Sequence, residues 1–378
     1  MPNNRIYYAT QAVALRPLKA DGTVNSAWYY PRGLQSVGIT TNFGLTQVFQ
    51  LGQLELYDNI EDVPEVEVTM SKNIDGTPPL YLIVNQGDTS FNGAAQGKEL
   101  AALVNNRVNF RLGIYADTNS AATGTPGAYV DCSGMYLSSI GYTIPTDGVA
   151  TEDITLVGNH KVWNSGSATG YTYGFGAPSA QGAFSAGTNG DAGTMTAPSL
   201  ARRFKVRLDE SALPTGVGGG IPVPGGRTVP SIQNITVNCD LGREAINEIG
   251  LMAPYFRYVT FPVEVTSEFE VISSSGDYVD ADDFMPKSGD TCEKSYKNLQ
   301  DQEIFITICG SGASDKLSLD LGRKNKLTSV NYTGGDTGGG NATMTYSYQT
   351  FNKLVVHASG SFISKTFIDN TNDGIAGD

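Results

Sequence analysis

Along several stretches of the chain apolar and polar residues alternate with a period of two, the pattern of strands that bury one face. Over residues 263–271, Val263, Val265, Phe269 and Val271 point one way, and Glu264, Thr266, Glu268 and Glu270 the other. Over residues 65–71, Val66, Val68 and Met70 oppose Glu65, Glu67, Thr69 and Ser71. Residues 81–84, 107–115 and 303–308, and the stretches beginning at Leu137 and Leu327, also alternate or run apolar and read as strands. A second spacing interrupts this pattern. Leu241, Ala245, Ile249 and Met252 recur at intervals of three and four behind a capping Asp240, with Gly250 near the end, which predicts a short helix packed on a sheet. The matching helix runs from Phe43 to about Leu56. The expected fold is mainly β: two tandem β-sandwich or barrel domains, each with a flanking short α-helix.

The word "two" rests on self-similarity. Displaced by 198 positions, residues 34–64 fall on residues 232–262 without a gap. Gln35 meets Gln233, Gly44 meets Gly242, Gly52 meets Gly250, Tyr57 meets Tyr255 and Pro64 meets Pro262. After one deletion, Val66, Glu67, Val68 and Thr69 coincide with Val263, Glu264, Val265 and Thr266. Further on, Leu137 and Tyr142 align with Leu327 and Tyr332. A polar turn follows each, over 145–148 and 334–341, and then another strand, over 152–163 and 343–357. Residues 164–198 are rich in glycine, serine and alanine and read as a linker or an extended loop. The expected division is residues 1–163, linker 164–198, and residues 199–378 with a polar C-terminal tail.

Composition agrees with strands and turns: 45 glycines, 40% hydrophobic residues and only 17% charged ones in 378 residues. The net charge of −13 argues against gripping nucleic acid, because that binding needs lysine and arginine on phosphates. The same charge is compatible with surrounding DNA without adhering to it. The chain shows no apolar signal segment at its start and no run of about 20 apolar residues, so it is expected to be made in a cytoplasm and to assemble there, away from membranes.

Recognisable chemistry is sparse. Cys132, Cys239, Cys292 and Cys309 never form a CxxC pair, and with only His160 and His357 beside them they read as buried free thiols rather than zinc ligands, a disulfide or an inter-subunit crosslink being the other reading. A catalytic site would need a histidine held near a nucleophile, but His160 and His357 fall at matching ends of the two repeats, which argues for surface positions at strand ends. The glycine runs 216–220 and 338–340 lack the Lys-Ser/Thr of a phosphate loop. Asp369 to Gly374 resembles the start of a calcium loop but has Thr371 at its third position and no terminal glutamate. The expectation is a structural protein without catalytic, cofactor or metal residues.

Residues 52–69 and 142–163 of the first half, with residues 240–244 and 254–266 of the second, resemble the tail tube protein family of tailed phages in pattern and order. The resemblance covers about two thirds of the chain. It implies β-sandwich subunits in rings that stack into a hollow tube, with inner sheets joined around a lumen and long loops reaching the next ring. Most members carry one such domain and form rings of six. A fused pair implies a trimer with pseudo-sixfold symmetry. Expected partners are further copies of the chain, the tail terminator, baseplate or tip and tape-measure proteins, and a sheath if the tail contracts. Genomic DNA would pass during ejection without specific binding, and the protein would reside in the virion tail. On this reading Glu65, Glu67, Glu264, Glu268 and Glu270 face the lumen. Other readings are a decoration, sheath or baseplate protein, or a carbohydrate-binding β-sandwich using aromatic loops such as Trp28-Tyr29-Tyr30 and residues 171–175.

Overall fold

The computed structural model describes residues 8–18, 31–85, 96–100, 105–115, 127–165, 200–208, 231–251, 254–272, 301–310, 314–335 and 340–363, together with residues 6, 22, 29, 213, 276, 279 and 312. The first half supplies β1 (Gln11–Pro17), β2 (Leu34–Asn42), β3 (Leu45–Phe49), β4 (Leu56–Glu61), β5 (Glu65–Asn73), α1 (Leu80–Val84), β6 (Gln96–Glu99), β7 (Arg107–Ile114), β8 (Ala128–Pro145), β9 (Thr151–Gly158) and β10 (Val162–Ser165). The second supplies β11 (Val206–Leu208), β12 (Ser231–Asp240), β13 (Arg243–Ile246), β14 (Phe256–Val259), β15 (Glu264–Ile272), β16 (Phe305–Cys309), β17 (Lys316–Asp320), β18 (Lys326–Thr333), β19 (Thr343–Phe351) and β20 (Val355–Ser359). The fold is mainly β, as the alternation predicts.

One sheet runs through both halves in the order β18-β19-β15-β12-β8-β9-β5-β2, every neighbouring pair antiparallel. Each half contributes four strands in the same succession, and the halves meet where β8 pairs with β12. Bulges recur at corresponding places: Leu34/Ser36 in β2 and Ile232/Asn234 in β12, Leu137/Ser139 in β8 and Leu327/Ser329 in β18. The ladders therefore match the halves residue by residue. They equate Glu65 with Glu264 and Val66 with Val265, two positions away from the sequence alignment. Val263 is an extra residue of the second half rather than the partner of Val66. A two-residue slip leaves every side chain on its own face, so the alternation alone could not expose it.

The second layer differs between the halves. Over the first, β1 and β10 flank β7 and the leading part of the long β8. Over the second lies a separate sheet, β11-β16-β17-β20-β6. Its last strand, β6, belongs to the first half and pairs with β20 across the boundary. A single apolar cluster fills the space between the layers, with Val68, Phe110, Ile140 and Leu156 of the first half continuous with Val265, Phe269, Ile306 and Leu319 of the second.

Three expected elements are different. The stretches from Phe43 to Leu56 and from Leu241 to Leu251 are not helices, and Met252 lies outside the described residues. They belong to two β-hairpins, β3–β4 and β13–β14. Gly52, Gly242 and Gly250 have φ of +89°, +50° and +94°, a left-handed backbone that a helix interior excludes and a tight turn requires. The apolar run 81–84, expected as a strand, forms α1, the one α-helix among the described residues. The stretches 152–163 and 343–357 each break into two strands, one in either layer. Most of the 164–198 linker, Cys292, the C-terminal calcium-like stretch and both glycine runs (apart from Gly340) lie outside the described residues.

Candidate functional surface

The eight-stranded path has two unlike faces. On the core side are Val66, Val68 and Met70 of β5, Ile140 and Tyr142 of β8, Ile235 and Val237 of β12, and Val265, Phe269 and Val271 of β15, all buried. The opposite face is polar. Cross-strand register puts Thr40, Glu67 and Val157 in one row, Gly141 beside Asp153, and Thr236, Glu268 and Ser347 in another row. All five predicted residues, Glu65, Glu67, Glu264, Glu268 and Glu270, lie on this face. They come from β5 and β15, which are separated by β9, β8 and β12.

Two further carboxylates share the face, Asp153 of β9 and Asp240 of β12, both exposed. The period of two could have found Asp153: Ile154 and Leu156 point inward, so Asp153 points outward and its neighbour Glu152 inward. Asp240 accepts a hydrogen bond from Gly242 N–H at 3.0 Å, which turns the chain out of β12 instead of capping a helix. Lys326, at one end of β18, lies on this face as well, pairing across to Gln349.

The hairpin β13–β14 leans back over one end of the first half. Phe256 meets the Tyr136 ring edge-on at 5.4 Å, and the Arg243 guanidinium lies 5.2 Å from the same ring while its Nε donates to the Leu137 carbonyl at 2.7 Å. Arg257, buried, donates to Glu65 at 2.9 Å and to Asn159 Oδ1 at 3.1 Å. Glu65 is thus an anchor of the hairpin as well as a member of the acidic face. The corresponding hairpin β3–β4 has Phe43, Leu45, Phe49, Leu51, Leu54, Tyr57 and Ile60 exposed.

Among the described residues, no strand pairs with the outer side of β18 or of β2, the two ends of the sheet path. Their residues match those at the β8–β12 junction. Ile235 and Val237 on β12 are buried, while their counterparts Val37 and Ile39 on β2 are only half-buried. Ile140 and Tyr142 on β8 are buried, while Val330 on β18 is half-buried and Tyr332 is 56% exposed.

Other polar groups serve the interior. Lys72 Nζ, buried, donates to Asp75 at 2.8 Å and to Thr77 at 2.9 Å. Buried Glu152 accepts the backbone N–H of Leu80 and of Tyr81, at 2.5 and 3.0 Å, and the Tyr142 hydroxyl at 3.0 Å. Cys132 and Cys239 are buried free thiols, pushed by desolvation up to about 11 and about 12, and Cys309 is free and half-buried. His160 shares a hydrogen bond of 2.8 Å with Ser133 at the surface just beyond β9. His357 sits within β20, opposite Gly97 and Ser318, so the two histidines are not at matching strand ends. Of the aromatic loop residues, Tyr29 is buried, and Trp28, Tyr30 and residues 171–175 lie outside the described residues. Among the described residues no cluster of histidine, cysteine or carboxylates is grouped to hold a metal ion, and no helix is long and apolar enough to cross a membrane.

No family model matches the chain, and no curated protein matches it. Among solved structures, a chain from a cryo-EM structure of the anti-feeding prophage baseplate, sixfold symmetrised, is similar over 44% of this chain and 99% of its own. The identity is 8% and the TM-score 0.31, a likeness too slight to carry a function across.

Proposed function

We propose that the chain is a structural subunit of a phage-type tail tube, a duplicated protein that closes into rings head to tail. The observation that carries this reading is the pair of open edges. The β8–β12 junction inside the chain joins the fourth strand of one half to the first strand of the other. The exposed edges, β18 and β2, are again a fourth and a first strand. Two chains can therefore repeat between them the junction that each contains within itself.

Transposing the β12–β8 ladder predicts the contact. Cys239 opposes Ile140 and Val237 opposes Tyr142, so Thr41 of one chain would oppose Val330 of the next, and Ile39 would oppose Tyr332. That pairing covers the half-buried edge residues. It also satisfies two strand edges that would otherwise invite uncontrolled pairing. A contact between unlike edges is heterologous, so repetition gives a ring when the rotation closes. Three chains would make a pseudo-sixfold ring of about 24 strands. At about 4.8 Å per strand and a tilt near 40°, the backbone cylinder would be roughly 50 Å across.

The acidic face would line the bore. Carboxylates among serine, threonine and asparagine give a passing polyanion nothing to hold, so DNA would move without adhering. The exposed hairpin tips, Leu51 and Leu54 on one and Ile249 and Leu251 on the other, would stack rings. Such a protein would sit in the virion tail with terminator, tip and tape-measure partners and would act without catalysis. Negative-stain microscopy and native mass spectrometry of the purified chain test the reading. Hollow rings or tubes of three chains per ring are expected. A chain that stays monomeric at every concentration would overturn it.

A further inference from the structure

The β13–β14 hairpin is docked on the first half of its own chain, whereas among the described residues no equivalent contact holds β3–β4. The difference follows from position in the sheet. Hairpin β13–β14 leaves β12, whose neighbour β8 is in the same chain. Hairpin β3–β4 leaves β2, whose neighbour would be β18 of another copy. The two hairpin ladders superimpose residue for residue: Arg243 pairs with Val259 as Leu45 pairs with Glu61, and Ile246 with Phe256 as Val48 with Asp58. The receiving surfaces correspond too. Tyr136 matches Lys326 through their partners Val157 and Gln349, and the same register sets Asn159 against Phe351.

We propose, on the strength of the ring reading, that β3–β4 docks on the second half of a neighbouring copy, with Asp58 of one copy paired to Lys326 of the next. Substituting each residue of the internal contact by its counterpart leads there. The Phe256–Tyr136 aromatic contact becomes Asp58 against Lys326, an opposite-charge pair. The contact of Arg257 with Glu65 and Asn159 becomes Asn59 beside Glu264 and Phe351, with an uncharged amide facing the glutamate in place of the guanidinium. In the single chain Asp58 is exposed, and Lys326 leans on Asp301 at 2.6 Å while staying 56% exposed, so both are placed to take a new partner.

The changed chemistry also sets order. A β3–β4 hairpin laid on a first half would press the Asp58 carboxylate onto the Tyr136 ring. A β13–β14 hairpin laid on a second half would bring Arg243 against Lys326. Each wrong docking strands or repels a charge, which is how like modules are kept in sequence. Halves therefore alternate around the ring, and the chain's internal junction cannot be exchanged for the one between chains.

Charge reversal tests the pair. Asp58→Lys alone and Lys326→Asp alone are each expected to raise the concentration at which rings form by roughly tenfold, and the double reversal to restore it to within about threefold of the unaltered chain. In assembled, unaltered protein, zero-length carbodiimide coupling is expected to join Asp58 to Lys326 between chains. Reversals that assemble like the unaltered chain, a double reversal that restores nothing, or Asp58 coupled only to a copy in the adjacent ring would overturn the pair while leaving ring formation standing. Failure of the unaltered chain to form rings would overturn both readings.

Discussion

Lys72 occupies the inward position of β5 that Val271 fills in β15, so one half of the chain places an ammonium where the other places an isopropyl group. A buried cation is tolerated only with a close partner, and Asp75 provides it. Burial pushes the Asp75 carboxyl up, but the Lys72 charge and hydrogen bonds from Lys72 and Thr77 outweigh it and hold the group below its ordinary value. Asp75→Asn removes the carboxylate that bonds the buried Lys72 ammonium and should cost about 3–5 kcal/mol, read from urea unfolding at neutral pH. The pH dependence has a definite sign. A depressed folded pKa stabilises above the unfolded value near 3.9, and that stability is lost as the pH falls through the lower folded value. Acid below about pH 4 should therefore narrow the gap between the Asp75→Asn variant and the unaltered chain. Glu152 is the opposite case: burial raises its pKa, while the N–H groups of Leu80 and Tyr81 and the Tyr142 hydroxyl bind its charge. The alternation Val66, Val68, Met70 continues to Lys72, and Ile154 and Leu156 continue back to Glu152, so both inward placements were legible. Their partners were not, because Asp75 lies beyond the strand and Leu80 is some 70 residues from Glu152 in the chain.

At the scale of elements, the strands were legible and the hairpins were not. Strand faces follow from a period of two that each segment carries within itself. In the hairpins, the spacing of Leu241, Ala245, Ile249 and Met252 imitates a helix, and only the backbone at Gly242 and Gly250 shows otherwise. Tyr81 to Val84 is apolar at every position, so periodicity could not separate a buried strand from a buried helix. What makes it helical is Glu152, whose carboxylate takes two of the free N–H groups at the start of α1. The acidic face was legible as two separate strands. That they share one surface depends on β8 meeting β12, a contact no local pattern encodes. This junction and the outer edges give a paired prediction. Val237→Asp buries a carboxylate within the chain and should cost about 4 kcal/mol or more of folding stability. Ile39→Asp, at the matching position on the open edge, should cost only about 1–2 kcal/mol of folding but abolish rings, as followed by thermal melts and size-exclusion chromatography with light scattering.

For the whole molecule, the two surfaces of the proposed assembly can be altered independently. Leu51→Asp with Leu54→Asp places charge at an exposed hairpin tip and should leave closed rings that no longer stack, seen as short particles by microscopy. Glu268→Lys with Glu270→Lys puts cations on the acidic face away from the Glu65 anchor and should slow DNA release from assembled virions while tubes still form. Unchanged release kinetics would count against a bore lined by this face. The β8–β12 junction carries a further consequence, for the timing of assembly. In the proposed ring, half of the junctions would be made when the chain folds, at the effective concentration of an intramolecular reaction, and would be independent of how much protein the cell holds. Closing the proposed ring would then demand an encounter of three bodies instead of six. If the chain is the ring subunit proposed above, the yield of rings at low expression should accordingly fall with about the third power of subunit concentration, so a duplicated chain could begin building while its copies are still scarce.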